Sequence, residues 1–171
     1  MTPRTKTATP ERRTAKTIDE RRIAALRERF PDADFSDLDA ALAVSRASVA
    51  IDRSLAAYLR PYGLTPVALQ TLISVFLAGP GPLSLADLGD ELRVTKANVS
   101  LVLGGLERKK LISRRAYPDD GRKIQAALTK RGERLLGDVI PGALDAIHDA
   151  FGPLPKPDRA RLKTLAQMVG S

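Results

Sequence analysis

The sequence predicts a mainly α-helical fold with one small β-hairpin. Apolar residues recur at three- and four-residue spacing over most of the chain, as they do on one face of an amphipathic helix. Two short strand-like runs, 111–116 and 123–128, flank a turn that contains Pro118 and Gly121. Two short helical patterns with a tight turn between them come just before these runs. The predicted order at the centre of the chain is therefore helix, turn, helix and hairpin.

The amino-terminal third is predicted to be a tail followed by two helices. Residues 1–9 show no hydrophobic periodicity, and we expect them to be disordered. A charged helical segment runs from Pro10 to Phe30, and Ser36 begins a long helix that ends near Arg60. The long helix carries two apolar stripes, Leu38, Leu42, Val49, Ala56 and Leu59 on one side and Val44, Ile51, Leu55 and Tyr58 on the other. A helix that is apolar on two sides is covered on two sides, so we expect it to contact its own domain and a second subunit.

Helix start and stop signals define the central elements. Gly63 ends one helix, and Thr65 followed by Pro66 begins the next, which is nearly all apolar and predicted to be central. Ser84 and Thr95 are predicted N-caps of the two short helices. The core face of the second short helix is predicted to be Val99, Val102, Leu103 and Leu106. Its outward face then carries Leu101 and the small or polar residues Lys96, Ala97, Asn98, Gly104 and Gly105, which allow close approach.

A helix-turn-helix followed by a basic two-stranded hairpin is a winged helix-turn-helix, in which the second helix enters the major groove of DNA and the wing reaches the neighbouring backbone or minor groove. The charge distribution favours this interpretation. The net charge is +8, and residues 93–134 alone carry twelve Lys or Arg against four acidic residues. A basic patch confined to one module is typical of phosphate binding.

The carboxyl-terminal part is predicted to be helical again. Thr129 caps a helix that extends to about Phe151, with Pro141 bending or dividing it, and a last helix covers 158–169. The predicted organisation has four parts: a tail at 1–9, an extra helix and long dimerisation helix at 10–60, the winged helix domain at 61–130, and carboxyl-terminal dimerisation helices at 131–171.

Composition argues against several classes of protein. The chain has no cysteine and one histidine, His148, so disulfides, thiolate metal sites and a histidine-based triad are not expected. No catalytic constellation or cofactor motif is apparent, and Asp119 with Asp120 is more typical of a solvated turn than of a catalytic pair. Because no catalytic constellation is apparent, we do not expect an enzyme. No apolar run approaches 18 residues and no signal-peptide pattern is present, so we expect a soluble, cytoplasmic protein.

The order of elements and four short motifs resemble the multiple antibiotic resistance regulator (MarR) family of bacterial transcription factors. The motifs are Leu64-Thr65-Pro66, the segment 94–100, the wing segment 118–122 and Leu128-Thr129. Each motif is weak alone, but their order and spacing together are specific. The resemblance covers about residues 36–169.

The resemblance implies a homodimer, held by the first and last helices, that reads a near-palindromic double-stranded DNA site. Thr95 and Ser100 can donate to phosphate, and Asn98 has the paired donor and acceptor that suit adenine. Arg122 occupies the position of the family's wing arginine, and we expect Asp120 to orient it. The expected DNA contacts are Ser84, Thr95, Lys96, Asn98, Ser100, Leu101, Arg114, Arg115, Arg122 and Lys123.

Three positions depart from the family pattern. Gly121 replaces a frequent second arginine of the wing, which puts more weight on Arg122 and Lys123. Leu101 replaces a frequently polar residue and favours contact with a thymine methyl group. Lys110 stands where a glycine is common before the first wing strand.

Members of the family commonly release DNA when a small phenolic or aromatic carboxylate binds. Arg46 and Arg53 lie one heptad apart on the long helix, and Asp52 interrupts an apolar stripe there. These three residues are a candidate ligand site, although such a stripe is also explained by solvation or by salt bridges across a dimer. The extra amino-terminal helix is similar to that of the urate-responsive branch, but the chain has no tryptophan, so urate is not carried over.

The sequence thus predicts a dimeric, sequence-specific repressor that a small aromatic ligand releases from DNA. A ligand-independent activator or architectural DNA-binding protein is the alternative, and a winged helix used for protein contact is a third possibility.

Overall fold

The computed structural model describes residues 18–79, 82–116 and 123–169. Within these residues the chain forms helices at both ends and a small sheet in the middle, as the sequence predicts. The helices are α1 (Ile18–Arg29), α2 (Ser36–Leu59), α3 (Pro66–Ala78), α4 (Leu85–Leu92), α5 (Lys96–Arg108), α6 (Lys130–Ala150) and α7 (Lys156–Met168). The strands are β1 (Pro82–Ser84), β2 (Ile112–Ala116) and β3 (Lys123–Leu128), and a 3₁₀ turn covers Arg60–Tyr62.

The described residues fall into two compact units, one ending at Ser45 and the other beginning at Arg46. In the first unit, Arg27 forms an ion pair with Asp39, and its guanidinium lies 5.6 Å from the centroid of the Phe35 ring. The Ser36 backbone N–H donates to Asp34 Oδ1 at 2.9 Å. This bond stabilises the carboxylate and lowers the pKa of Asp34 below its usual 3.8.

The sheet has three antiparallel strands in the order β1-β3-β2. The sequence predicted only the two strands of the hairpin, so β1 is a correction. Leu83 of β1 pairs with Ile124 of β3. A strand of three residues is too short for a visible alternation of apolar and polar positions, which explains why the pattern did not reveal it.

The core of the second unit is built around α3, which confirms the prediction that this helix is central. Leu72 is fully buried and Val75 is 1% exposed. Leu59, Leu103 and Val139 bring α2, α5 and α6 into the same cluster. Among the described helices, no single one combines the length and apolar content needed to cross a membrane; the segments 36–62 and 66–78 reach it only together, with a bend of 78° between them.

The helix α6 is continuous from Lys130 to Ala150 although Pro141 lies inside it. Of the two outcomes that the sequence left open, division into two helices is therefore wrong. Proline removes one hydrogen bond to the carbonyl four residues earlier, here that of Gly137. Both Pro141 and Gly137 are exposed, so water can satisfy that carbonyl and the helix continues.

Candidate nucleic-acid interface

The helix-turn-helix formed by α4 and α5 is held by caps and one left-handed residue. Ser84 Oγ accepts from the Asp87 N–H at 3.2 Å, and Thr95 Oγ1 accepts from the Asn98 N–H at 3.3 Å, so both predicted N-caps are confirmed. Between the helices, Arg93 adopts φ 54°, and the Val94 N–H donates to the Gly89 carbonyl at 2.9 Å. These bonds fix the angle at which α5 leaves the turn.

Gly89 is a residue of this turn that the sequence analysis missed. It is buried, and a Cβ built on it would lie 2.9 Å from the Val94 carbonyl oxygen. Because that oxygen belongs to the backbone, any side chain at this position would push α4 away from the turn. The signal was present as a glycine inside an otherwise good helix pattern.

The helix α5 has a buried face and an exposed face, as predicted. Val99 and Leu103 are fully buried, and Leu106 is 2% exposed. On the other side Leu101 is 67% exposed, and Asn98 is exposed beside it. Leu101 is therefore accessible for the apolar contact that the sequence predicts.

The predicted contact residues of α4 and α5 lie in different environments. Thr95, Lys96 and Asn98 are exposed at the start of α5, where they are accessible to a ligand. A threonine hydroxyl that accepts a capping bond can still donate its own hydrogen to phosphate. Ser84 and Ser100 are half-buried, and the Ser84 hydroxyl is engaged as the cap of α4.

The two wing arginines are held by different partners. Arg114 Nε donates to Glu107 Oε2 of α5 at 2.6 Å. Arg115 Nε donates to Gln125 Oε1 at 2.7 Å, and Gln125 is its cross-strand partner in the hairpin. Successive residues of a strand point to opposite faces, so the two guanidinium groups start from opposite sides of β2. The sequence analysis missed both partners, although the register of a regular hairpin pairs Arg115 with Gln125.

Part of the wing is not described. Arg122 and the turn residues Asp119, Asp120 and Gly121 lie outside the described residues, as does the side chain of Lys123, whose backbone begins β3. The roles predicted for them stay predictions.

The backbone at the end of α5 explains why a glycine would suit position 110, where this chain has a lysine. Lys110 adopts φ 57°, a left-handed conformation that favours glycine. The neighbouring Lys109 donates through Nζ to the Gly63 carbonyl, at the junction before α3. The backbone thus has the shape that a glycine would give, although a lysine occupies the position.

The candidate ligand residues Arg46, Asp52 and Arg53 are all exposed on α2. Neither of two cavities in the second unit includes them: one of about 360 Å³ beside the wing arginines, and one of about 650 Å³ at the end of α5. Within the described ranges, no group of three or more acidic or histidine side chains is placed to hold a metal ion.

Comparison with known proteins agrees with this architecture. A family model described as "MarR family" matches residues 62–123. The transcriptional repressor YetL of Bacillus subtilis is 30% identical over 120 residues, which cover 70% of this chain and 72% of YetL.

Solved structures show the same fold. The Mycobacterium tuberculosis MarR family protein Rv2887 in complex with salicylic acid is 26% identical, with a TM-score of 0.60 over 81% of this chain and 98% of that protein. A variant of E. coli MarR in complex with operator DNA is 22% identical, with a TM-score of 0.70 over 81% of this chain and 100% of that protein. The sequence relative YetL is a transcriptional regulator, and the solved structures share the fold described above. The chain therefore belongs to the MarR family and is a DNA-binding winged helix-turn-helix transcriptional regulator.

Proposed function

We propose that this chain is a homodimeric repressor that binds a near-palindromic operator and releases it when a small aromatic acid binds. The observation that carries the proposal is the face of α5 at its capped start. Thr95, Lys96 and Asn98 are exposed there, while Val99 anchors the same turn in the core. A rigid helix end with exposed polar groups is what groove recognition requires.

The side chains of this face suit two kinds of DNA contact: contacts to phosphates, which position the protein, and contacts to bases, which recognise the sequence. Lys96 and the Thr95 hydroxyl suit phosphate oxygens, which fix the register of a protein on DNA without reading sequence. Asn98 suits adenine, and the exposed Leu101 suits a thymine methyl group. The proposed operator is therefore rich in A·T pairs where α5 contacts it.

Exposed apolar side chains support the homodimer. In α7, Leu165 is 50% exposed and Val169, just after the helix, is 82% exposed, while Leu144 of α6 is 61% exposed. Val49 of α2 is 53% exposed. Apolar surface of this extent on helices is typical of a protein interface. A two-fold dimer would place two copies of α5 about 34–36 Å apart, on successive turns of the major groove.

Two relatives and one pair of arginine side chains support the proposal that a small aromatic acid releases the protein from DNA. YetL is named a repressor, and Rv2887 was solved with salicylic acid. In this chain Arg46 and Arg53 are exposed on α2 and suit a carboxylate, and Asp52 adjoins them. We propose that they contribute to an aromatic acid site in the dimer.

The test combines mass, DNA binding and ligand response. Sedimentation is expected to give twice the mass of one chain, and footprinting on DNA from upstream of its own gene is expected to give two protected half-sites. Salicylic acid is expected to weaken that binding and to raise the melting temperature of the free protein. A monomer, or a protein that binds every duplex equally well, would contradict the proposal. Footprinting that is unchanged by salicylic acid and by a panel of aromatic acids would favour the ligand-independent alternative.

A further inference from the structure

A basic cavity of about 650 Å³ lies at the far end of α5, away from the residues proposed to read DNA. It is bounded by the end of α5 and the residues that follow, by Tyr62, and by the first turns of α6. Its described lining residues include five cations and one carboxylate: Arg108, Lys109, Lys110, Arg131, Arg134 and Asp138. The lining therefore has a net charge of +4.

Most of these cations have no anionic partner among the described residues. In the part of the chain that the structure describes, the side chains of Arg108, Lys110, Arg131 and Arg134 make no salt bridge. Lys109 donates to the Gly63 carbonyl, which is a neutral group and leaves the positive charge uncompensated. Like charges held around one concave surface repel each other and raise the local concentration of anions.

We propose that this cavity binds a phosphorylated small molecule that carries several negative charges. An anion with a single charge would leave most of the lining uncompensated. Arginine is suited to phosphate because its planar guanidinium can donate two parallel hydrogen bonds. The volume lies within the range of about 300–1,000 Å³ typical of small-molecule sites, and Tyr62 and Leu135 give one side of the cavity an apolar surface. The ligand therefore has room for an apolar or aromatic part beside its phosphates.

The position of the cavity argues for a small molecule over the DNA backbone. From Lys96 to Arg108 the axis of α5 rises about 18 Å, at roughly 1.5 Å per residue. The cavity is thus at the opposite end of α5 from Thr95. A bound anion would contact α5, α6 and the Tyr62 junction together.

This bridging position gives the ligand a role that rests on the proposed function. An anion that holds the end of α5 against α6 changes the freedom of α5 to adjust in the groove, so it couples the cavity to DNA affinity. Binding to the cavity itself does not depend on DNA and can be measured without it.

The direct test is isothermal titration of the full chain with inorganic pyrophosphate at constant ionic strength. We expect saturable binding of one pyrophosphate per chain. The double variant Arg131→Gln and Arg134→Gln is expected to bind at least about tenfold more weakly, because it removes two of the five cations that line the cavity and the charge-assisted hydrogen bonds that they would donate. The matched control, Arg161→Gln and Lys163→Gln, removes the same charge from exposed positions of α7. It is expected to bind as the unmodified chain does.

Two results would overturn the site. Absence of saturable heat in the unmodified chain is one, and equal weakening of both double variants is the other, since that would show only the effect of net charge. Thermal melts of both variants establish that they are folded.

A separate experiment tests whether Arg131 and Arg134 contact DNA. Without pyrophosphate, the two double variants are expected to bind operator DNA with the same salt dependence. A salt slope that falls by about two units only in the Arg131 and Arg134 variant would identify these residues as DNA contacts and contradict the proposal. If pyrophosphate binds to the chain but no DNA duplex does, the anion site is supported and the proposed function is contradicted.

Discussion

Arg114 on the first strand of the wing forms an ion pair with Glu107 near the end of α5, with 2.6 Å between Nε and Oε2. The two side chains are 34% and 39% exposed, so solvent screens the pair and its contribution to stability is at most about 1 kcal/mol. We nevertheless expect the pair to affect DNA binding, because Glu107 neutralises Arg114, a cation of the proposed interface.

Replacing Glu107 with Gln is expected to tighten binding to random duplex DNA and to steepen its salt dependence by up to about one unit, since one more cation can then neutralise a phosphate. Fluorescence anisotropy across a salt series measures both quantities. The control Asp149→Asn removes a negative charge from an exposed position of α6, remote in sequence from the wing. An identical change in the two variants would show that net charge alone is responsible.

Replacing Asn98 with Ala is expected to cost about 1–3 kcal/mol of binding free energy on the operator and much less on a random duplex of the same length. The reason is that the exposed amide can pair with adenine, while the Asn98 backbone N–H, which donates to the capping hydroxyl of Thr95, is kept in the variant. Competition binding with the two duplexes checks the prediction. Equal losses on both would remove Asn98 from the residues that read bases.

The winged helix was predictable because its signals are local. Thr95 and Ser84 are cap residues directly before amphipathic runs, and the structure gives each the predicted bond. The partners of the wing arginines were not predictable in the same way, since Glu107 and Arg114 meet only after β2 has packed beside α5. Neither was the strand β1, whose three residues become a strand by pairing with β3. Tertiary contacts decide such features, and a single sequence does not display them.

Lys110, at the end of α5, adopts a left-handed backbone conformation. Its φ of 57° is costly for any residue with a Cβ, by roughly 1–2 kcal/mol. Replacing Lys110 with Gly is therefore expected to give a protein about 0.5–1 kcal/mol more stable than the Lys110→Ala variant, after allowing for the greater freedom of glycine in the unfolded chain. Urea unfolding measures the difference, and the alanine variant controls for loss of the lysine side chain. A glycine variant no more stable than the alanine variant would contradict the left-handed conformation.

Two glycines of α6 have opposite environments. A Cβ on Gly132 would lie 2.0 Å from the Leu111 carbonyl oxygen, whereas a Cβ on Gly137 would meet nothing within 4 Å. Gly132→Ala is expected to cost about 3 kcal/mol or more, because a backbone atom must move. Gly137→Ala is expected to stabilise the helix by about 0.5–1 kcal/mol. Urea unfolding of both variants tests this; stabilisation of similar size in the two would show that helix propensity, and not the close approach at Gly132, determines the result.

Tyr58 gives the stability of the protein a dependence on alkaline pH. Its hydroxyl lies 3.4 Å from that of Tyr62 and donates to the Val139 carbonyl at 3.2 Å. The hydrogen bond with Tyr62, then desolvation, raises the pKa of Tyr58 from 10.0 to about 12. Between these two values the folded chain retains a proton that the unfolded chain has lost, so this stabilisation is complete below pH 10 and declines as the pH rises toward 12.

Replacing Tyr58 with Phe removes that proton from both states. The free energy of unfolding of the unmodified chain is therefore expected to exceed that of the Tyr58→Phe variant most clearly below pH 10, and the gap is expected to narrow from pH 10 to 12. Urea unfolding of the two proteins at matched pH values measures the gap, and taking the difference cancels the titration of the lysines they share. A gap that stays constant through pH 12 would show that the packing and hydrogen bonding of the hydroxyl, and not the retained proton, are what Tyr58 contributes.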